Sequence, residues 1–502
     1  MKKQFLGKIL DPQLFALCYL PFLAINMVQV INPMAVTRAF LAVFALWGFA
    51  SAIRTYLFCK EAWTDKLMPV LLVFLAVCLG TELLNFSYGG VRVLGEFCYF
   101  ALCIVILYRQ YKAGVTGYAV LLRKLTAVLG AAISLMMLVS LWMYVNMISI
   151  EIVRRTGEKI VIGLHQNRLF GLFSSPNVGG LFALILVWCS IVTLYLRKGE
   201  KRYGLWIAVS VNQIILAACY LSVALSRGAN IVGIGFVAVF MLLRPGFAWE
   251  LKRSTWQQFA IRAMSAVLAL MISVGTVSVM NTLLLHGMKW CFSQKYGVSY
   301  DEIGNIDLDN PNLTDEEKHA LEILGDAMLG FDGRVEADRE DIDITNKRAD
   351  IWKAHLSIMT DKNLLTGVND PYQWYQQMTA NGVSFSAHQK RFIEWAGGNM
   401  HNGFLQILVN CGIFALLAML LFLALCFIRC ARCFIVCVHR KRSTGERYTV
   451  FALTLPMVLC ILGNNIVETN FVLMGANFFQ ALFWFLAGAT VFCAGTKQEE
   501  IE

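Results

Sequence analysis

The sequence predicts an all-α polytopic membrane protein with about twelve transmembrane helices and one large extracytoplasmic loop. Of its 502 residues, 58% are hydrophobic and only 15% are charged, whereas soluble proteins carry about 25% charged residues. The mean hydropathy is +0.61. The apolar residues gather in long runs, and a helix needs about 20 of them to cross the hydrocarbon layer. The runs do not alternate in polarity, as the strands of a membrane barrel would.

Twelve apolar runs are candidates for membrane spans. Backbone in lipid must satisfy its own hydrogen bonds, so we expect each run to be helical. The first is longer than the core of a signal peptide and is not followed by a convincing small-residue cleavage site, which favours a retained anchor. The runs lie near 12–32, 38–57, 67–86, 92–108, 125–147, 177–196, 204–222, 229–243, 263–285, 402–428, 448–467 and 471–493.

The orientation follows from the basic residues, because short cytoplasmic loops are enriched in Lys and Arg. Every second loop is basic, and the two ends of the chain fall on the same side. We therefore predict a bacterial multi-pass protein of the cytoplasmic membrane with both termini in the cytoplasm. The loop residues that indicate this are Arg109, Lys112, Arg123, Lys124, Arg197, Lys198, Lys201, Arg202, Lys252, Arg253, Arg262, Arg429, Arg432, Arg440, Lys441, Arg442 and Arg447.

The long polar segment 286–400 divides the chain into three parts. It contains 19 acidic and 11 basic residues, a net charge of −8, whereas the rest of the chain carries +18. We expect residues 1–285 to form the first nine spans and residues 401–502 the last three. The basic residues are spread over separate cytoplasmic loops, so the sequence gives no case for binding nucleic acid.

The external loop has signals for helices of its own. Thr314 and Glu317 form a capping box for a helix that we expect to end near Leu329, at Gly330. A second helix is expected over residues 346–360, where Arg348 and Trp352 would share a face. The loop contains one cysteine, Cys291, so it has no internal disulfide partner.

Four short motifs lie at predicted external membrane boundaries. Together they resemble the O-antigen ligase and O-antigen polymerase family of bacterial membrane glycosyltransferases, over about residues 165–415. One position departs from the family: its usual Gly-x-Gly after the loop helix reads Gly367-Val368-Asn369 here. The motifs are Gly171-Leu172-Phe173-Ser174-Ser175-Pro176-Asn177, Leu225-Ser226-Arg227-Gly228-Ala229, Arg348-Ala349-Asp350-Ile351-Trp352 with the downstream Gly367, and His401-Asn402 with Leu405 and Gly412.

The resemblance implies a GT-C-like fold and a transfer reaction on the outer side of the membrane. The donor would be a glycan on a polyprenyl (undecaprenyl) pyrophosphate, and the acceptor a hydroxyl of a glycan or lipid. Arginine forks match phosphate oxygens, so Arg227 and Arg348 are the candidates for holding the pyrophosphate. A neutral imidazole can accept the hydroxyl proton, so His401 is the candidate base. No acidic cluster with metal-ligand spacing accompanies them, and we expect no metal and no cofactor.

Five further residues are candidates for substrate contact: Arg168, Asn177, Trp352, Asn402 and Glu468. Each site residue also has a structural reading. Arg227 could cap a helix or reach the lipid headgroups, Arg348 could be a solvated charge, His401 could cap the tenth span, and Asn177 could cap or pack the sixth.

Other functions stay open on the sequence alone. A flippase of lipid-linked sugars would suit twelve spans, but its cavity should carry charges in mid-span, and these spans are nearly free of Lys and Arg. A cell-wall glycan polymerase would be expected to show an essential acidic residue early in the external loop. The motifs do not separate a polysaccharide polymerase from an O-antigen-type ligase.

Overall fold

The structure is a computed structural model, in which helices make up most of the chain. It describes residues 9–29, 31, 35–58, 65–108, 114–153, 159–165, 168–246, 250–298, 300, 303, 313–314, 317–318, 320–321, 324, 348–439, 445–466, 468 and 477–495.

Nine apolar helices precede the external loop, and each overlaps one predicted run. The short link between the helices Tyr203–Ala224 and Arg227–Leu243 contains Leu225 in the left-handed conformation, and Ser226 caps the second of them by accepting from the Ala229 N–H. They are α1 (Pro12–Asn26), α2 (Ala35–Phe58), α3 (Met68–Leu84), α4 (Phe86–Leu102, continued by a π-helical turn, Cys103–Leu107), α5 (Gly114–Val145), α6 (Pro176–Leu196), α7 (Tyr203–Ala224), α8 (Arg227–Leu243) and α9 (Thr255–Tyr296).

Among the described residues, four short helices lie between residues 348 and 396, and three more apolar helices follow them. Asp370 caps α12 with its carboxylate, and Ser386 and Gln389 form a capping box on α13. The seven are α10 (Arg348–Ile358), α11 (Asp361–Thr366), α12 (Pro371–Ala380), α13 (Ala387–Ala396), α14 (Gly403–His439), α15 (Glu446–Asn464) and α16 (Phe478–Ala494).

The fold is that of an all-α polytopic membrane protein. Within the described residues, eight helices are long and apolar enough to cross a membrane, and four shorter apolar helices (α1, α3, α8 and α16) coincide with the remaining predicted runs. That all twelve cross the bilayer stays a prediction, as do the division at residues 285 and 400 and the cytoplasmic location of both termini.

The centre of the bundle is formed by α6, α15 and α16. Trp188 of α6 is buried and donates its indole N–H to the Leu453 carbonyl of α15 at 2.7 Å. Trp484 of α16 is enclosed by the rings of Phe100, Tyr108 and Phe422. By contrast, only 6% of the residues in the most apolar stretch of α9 are buried. This helix therefore forms the outer wall of the bundle on its side.

The ninth helix is longer than the apolar run that predicts it. It begins at Thr255, behind a capping box of Ser254 and Gln257, and continues past residue 285 to Tyr296. Gly297, with φ +69°, ends it in the left-handed conformation. Polar residues beyond 285 are compatible with helix, so hydropathy marked the end of the apolar part rather than the end of the helix.

A small antiparallel sheet lies between α5 and α6. Its strands are β1 (Ser149–Val153), β2 (Lys159–His165) and β3 (Arg168–Gly171), in the order β1-β2-β3. Hydropathy alone predicts no structure for this loop, although isoleucines alternate in both β1 and β2. The strands are too short for that pattern to stand out beside the neighbouring apolar runs. The sheet sets Arg168 beside the start of α6.

The predicted loop helices are partly recovered. The Thr314–Glu317 capping box is present, and residues 317–318, 320–321 and 324 are helical; the predicted end near Leu329 and Gly330 lies outside the described residues. The second predicted helix is α10, which ends at Ile358. Thr360 instead caps α11, accepting from the Asn363 N–H.

Helix α14 is broken inside the membrane-spanning run, and the loop after α11 fills the break. Gly412 has φ +82° and ψ 176°. The Val368 and Asn369 N–H groups donate to the Val409 and Asn410 carbonyls at 2.9 and 3.0 Å. Asn369 has φ +66°, which asparagine tolerates better than most residues, so it can stand where the family usually has the second glycine.

Both glycines at this break are expected to resist substitution. A Cβ on Gly412 would lie 2.2 Å from the Leu365 carbonyl oxygen, and one on Gly367 2.2 Å from that of Asn410. We expect Gly412→Ala and Gly367→Ala to destabilise the protein by about 1–3 kcal/mol from overpacking, with about 1–2 kcal/mol more from the left-handed backbone. Thermal unfolding of the purified protein in detergent measures this.

Two control glycines separate these contributions. Gly90 has φ +59° with open space around it, and Gly463 is helical with nothing within 4 Å. Gly90→Ala should show the backbone cost alone, and Gly463→Ala should be close to neutral. Equal unfolding temperatures for all four variants would contradict a tightly packed break in α14.

Candidate active site

Glu468, between α15 and α16, is the meeting point of three distant parts of the chain. Its Oε1 accepts from Asn177 Nδ2 at 2.9 Å and from Arg348 Nη2 at 3.2 Å. Its Oε2 lies 3.3 Å from His401 Nδ1. Asn177 is in the first turn of α6, Arg348 begins α10, and His401 precedes α14. One carboxylate thus brings a cation, an imidazole and an amide together.

The electrostatics of Glu468 favour its ionised form. Its side chain is 21% exposed, and burial by itself would raise the pKa of the carboxyl. The hydrogen bond and charge of His401, the charge of Arg348 and the hydrogen bond from Asn177 outweigh burial and hold the pKa of Glu468 below its usual value. The carboxylate is therefore charged at neutral pH and can act as a fixed negative partner.

His401 is held in an uncommon backbone conformation. Its φ is +45°, a left-handed value that costs free energy for most non-glycine residues. The Asn399 side chain accepts the His401 N–H at 2.8 Å. The imidazole itself is 33% exposed, so it is accessible from outside while its Nδ1 faces the carboxylate.

The turn that carries His401 is fixed on both sides. Asn402 caps α14 by accepting from the Phe404 and Leu405 N–H groups, and its amide donates to the Ile466 carbonyl at 3.0 Å. The Gly403 N–H donates to the Asn465 carbonyl at 2.8 Å. These contacts tie the start of α14 to the segment leading to Glu468, and so set the distance between the imidazole and the carboxylate.

Helix α10 is joined to the same turn. Trp352, one turn after Arg348, donates its indole N–H to the Met400 carbonyl at 2.7 Å. Residues four apart share one face of a helix. Arg348 therefore lies on the same face of α10 as Trp352 and contacts Glu468 from there. The arginine is therefore positioned by a helix that is itself hydrogen-bonded beside His401.

A second polar network links this centre to the start of α8. The buried Ser226 hydroxyl donates to Asn177 Oδ1 at 2.6 Å. Arg168 Nη2 donates to the same oxygen at 3.5 Å, and its Nε to the Ala224 carbonyl at 3.3 Å. Arg227, half-buried, is the first residue of α8, where the helix dipole favours an anion.

Residues 213–420 match the family model described as O-antigen ligase. The resemblance to the O-antigen ligase family is confirmed. The matched region includes Arg227, Arg348 and His401, whereas Arg168, Asn177 and Glu468 lie outside it. No curated protein and no solved structure matches the chain. The family match and the apolar helices together support a multi-pass membrane protein that acts as a glycan ligase or polymerase in general.

In the structure, the predicted site residues fall into three groups. His401, Arg348 and Asn177 contact Glu468 directly. Arg168 joins them through Asn177, and Arg227 follows the Ser226 that contacts Asn177. Trp352 and Asn402 use their polar atoms to hold the His401 turn. Two of the helix caps differ from the structural readings above, since Ser175 rather than Asn177 caps α6, and Asn402 rather than His401 caps α14.

The sequence did not predict how many contacts two residues make in the candidate site. Glu468 was predicted only as a possible contact, yet it is the centre of the site; its signal was an acidic residue in a short turn between two apolar runs. Ser226 was read as part of a motif without a role of its own. Across the described residues, no group of three His, Cys, Asp or Glu side chains is placed to hold a metal ion.

Proposed function

We propose that this protein transfers a glycan from a polyprenyl-pyrophosphate-linked donor to an acceptor hydroxyl on the outer side of the bacterial cytoplasmic membrane. It would act as a polysaccharide polymerase or an O-antigen-type ligase, without a metal. The observation that carries the proposal is the Arg348–Glu468–His401 cluster. It combines a phosphate-binding cation with an accessible imidazole whose orientation is fixed.

His401 is the general base in this proposal. When Nδ1–H donates to Glu468 Oε2, the other ring nitrogen, Nε2, keeps its lone pair and can accept a proton. The acceptor hydroxyl gives that proton to Nε2, and its oxygen forms a bond to the anomeric carbon of the donor. The bond from that carbon to the pyrophosphate oxygen breaks, and the electron pair leaves with the pyrophosphate. Glu468 stabilises the imidazolium that results.

Arg348 and Arg227 hold the pyrophosphate and stabilise its developing charge. A guanidinium has five N–H donors, so Arg348 can keep its contact with Glu468 while it binds a phosphate oxygen. Glu468 thereby orients the arginine as well as the base. Arg227 acts at the start of α8, where the helix dipole adds to its charge, and Arg168 and Asn177 connect the two arginines through Ser226.

The test uses purified protein in liposomes, a polyprenyl-pyrophosphate oligosaccharide and a glycan or lipid acceptor. We expect a product joined to the acceptor, with an unchanged rate in a metal chelator. Movement of the donor across the bilayer without a joined product would favour the flippase instead. Mass analysis of the product separates a polymerase from a ligase.

The same assay tests Glu468. We expect Glu468→Gln to lower the rate about 10- to 10⁴-fold, the upper figure being the cost of the equivalent change behind a catalytic histidine in serine proteases. Glutamine keeps the shape and can still accept from Arg348, but it loses the charge that stabilises an imidazolium. Glu394→Gln is the matched control, since Glu394 of α13 accepts a hydrogen bond from the Tyr375 hydroxyl, away from the candidate site. Wild-type rates in both variants would remove Glu468 from the mechanism.

A further inference from the structure

An apolar groove runs along α8 from the candidate active site toward the middle of the membrane. It has a volume of about 410 Å³ and lies between α6, α7, α8 and α9. Its walls include Ala218 and Leu221 of α7, Gly233 and Val237 of α8, and Ser273 of α9. Gly233 allows α8 to approach α6 closely in this wall, since a Cβ there would lie 2.9 Å from a methyl carbon of Leu184.

The outer end of the groove is next to the proposed phosphate site. Its lining begins at Ala229 and Asn230, within the first turn of α8, which starts at Arg227. From there it follows α8 to Val237, about 12 Å at the rise of an α-helix. A molecule whose anionic group rests beside Arg227 would therefore have an apolar path of this length immediately below it.

The groove is also open toward lipid. Two of its lining residues, Ile234 of α8 and Val274 of α9, are 49% and 61% exposed. Helix α9 forms this wall, and only 6% of its most apolar stretch is buried. An apolar chain can therefore enter sideways from the bilayer, without passing its head through the membrane core.

We propose that this groove holds the first isoprene units of the donor's polyprenyl chain, with the pyrophosphate at Arg227. The inference rests on the proposed function and adds to it the place where the lipid is recognised. The shape favours one apolar chain ending in one anionic group, and burial of each CH₂ of that chain strengthens binding about fourfold. The competing occupant is an acyl chain of an ordinary phospholipid.

A matched pair of variants on α9 tests the groove. Ser273 lines it and is half-buried, whereas Ser278, five residues on, is exposed and lies outside the lining. Ser273→Phe fills the groove, and Ser278→Phe adds the same ring on a lipid-facing position. Each is compared on two donors with the same glycan and pyrophosphate, one carrying the full polyprenyl chain and the other a single isoprene unit.

We expect Ser273→Phe to raise the KM for the long-chain donor about tenfold or more, the effect of excluding two or more methylene groups. Its kcat/KM on the one-isoprene donor should fall much less, since a single unit reaches only the outer part of the groove, and Ser278→Phe should match wild type on both donors. Equal losses on the two donors, or equal behaviour of the two variants, would overturn the proposal.

A second measurement does not depend on turnover. A polyprenyl phosphate carrying a photoreactive group on its first isoprene should crosslink wild-type protein at residues of α7–α9 that line the groove. Excess polyprenyl phosphate should remove the crosslink and excess phosphatidylglycerol should not. Crosslinking elsewhere, or equal competition by phosphatidylglycerol, would overturn the groove assignment. Correct crosslinking in a protein that transfers no glycan would instead reject the transferase and keep the lipid site.

Discussion

Replacing His401 with alanine is expected to lower the transfer rate about 10²–10⁴-fold, the usual cost of losing a general base. The imidazole is accessible, its Nδ1 faces Glu468 at 3.3 Å, and nothing in alanine can accept the hydroxyl proton. Arg348 and Glu468 remain in contact with each other in the variant, so donor binding should fall much less than kcat. Initial rates over a range of donor concentrations separate the two effects.

Two further variants protect this test against a folding artefact. His401→Asn suits the left-handed backbone at φ +45°, and it should fold like wild type but still be slow. His388→Ala removes an exposed imidazole of α13 that pairs with Asp350 and should keep wild-type rates. Turnover of His401→Ala within a few-fold of wild type would reject the base assignment. Failure of both His401 variants to insert would make the residue structural.

The positions of the apolar helices were predictable because they depend on hydropathy along the sequence. The twelve hydropathy runs coincide with apolar helices, since apolar residues at this density have no other stable state in lipid. The break in α14 was not predictable in this way, because Gly412 lies inside a run whose hydropathy continues on both sides. The end of α9 could not be predicted from hydropathy either, because its last eleven residues are polar enough to lie outside the membrane and are still helical.

The candidate site was predictable as a set of residues but not as an arrangement. The motifs identified Arg348 and His401, which lie within one region of the chain. The contact between Asn177 and Glu468 joins residues 291 positions apart, and no local pattern specifies such a pairing. The role of each residue was equally hard to predict. A tryptophan or asparagine near a candidate catalytic residue gives the same sequence pattern whether its side chain binds substrate or hydrogen-bonds the backbone. Trp352 and Asn402 hydrogen-bond the backbone.

The arginine pair gives the second large effect. Lysine keeps the charge of arginine but loses the planar fork, so it contacts one phosphate oxygen where arginine holds two. A hydrogen bond between charged groups contributes about 1.5–3 kcal/mol, so we expect Arg227→Lys and Arg348→Lys each to slow transfer about 10- to 10²-fold. Arg391→Lys, on the exposed face of α13, is the control and should be silent.

The double variant distinguishes a shared ligand from two separate roles. If both arginines hold one pyrophosphate in the same transition state, losing the first contact already weakens what the second can do. The free-energy cost of Arg227→Lys with Arg348→Lys should then be clearly less than the two single costs together. Strict additivity on one donor would place the arginines on different groups. Near-wild-type rates in both single variants would leave Arg227 as a helix-end cation and Arg348 as the structural partner of Glu468, and the leaving group would need another source of charge.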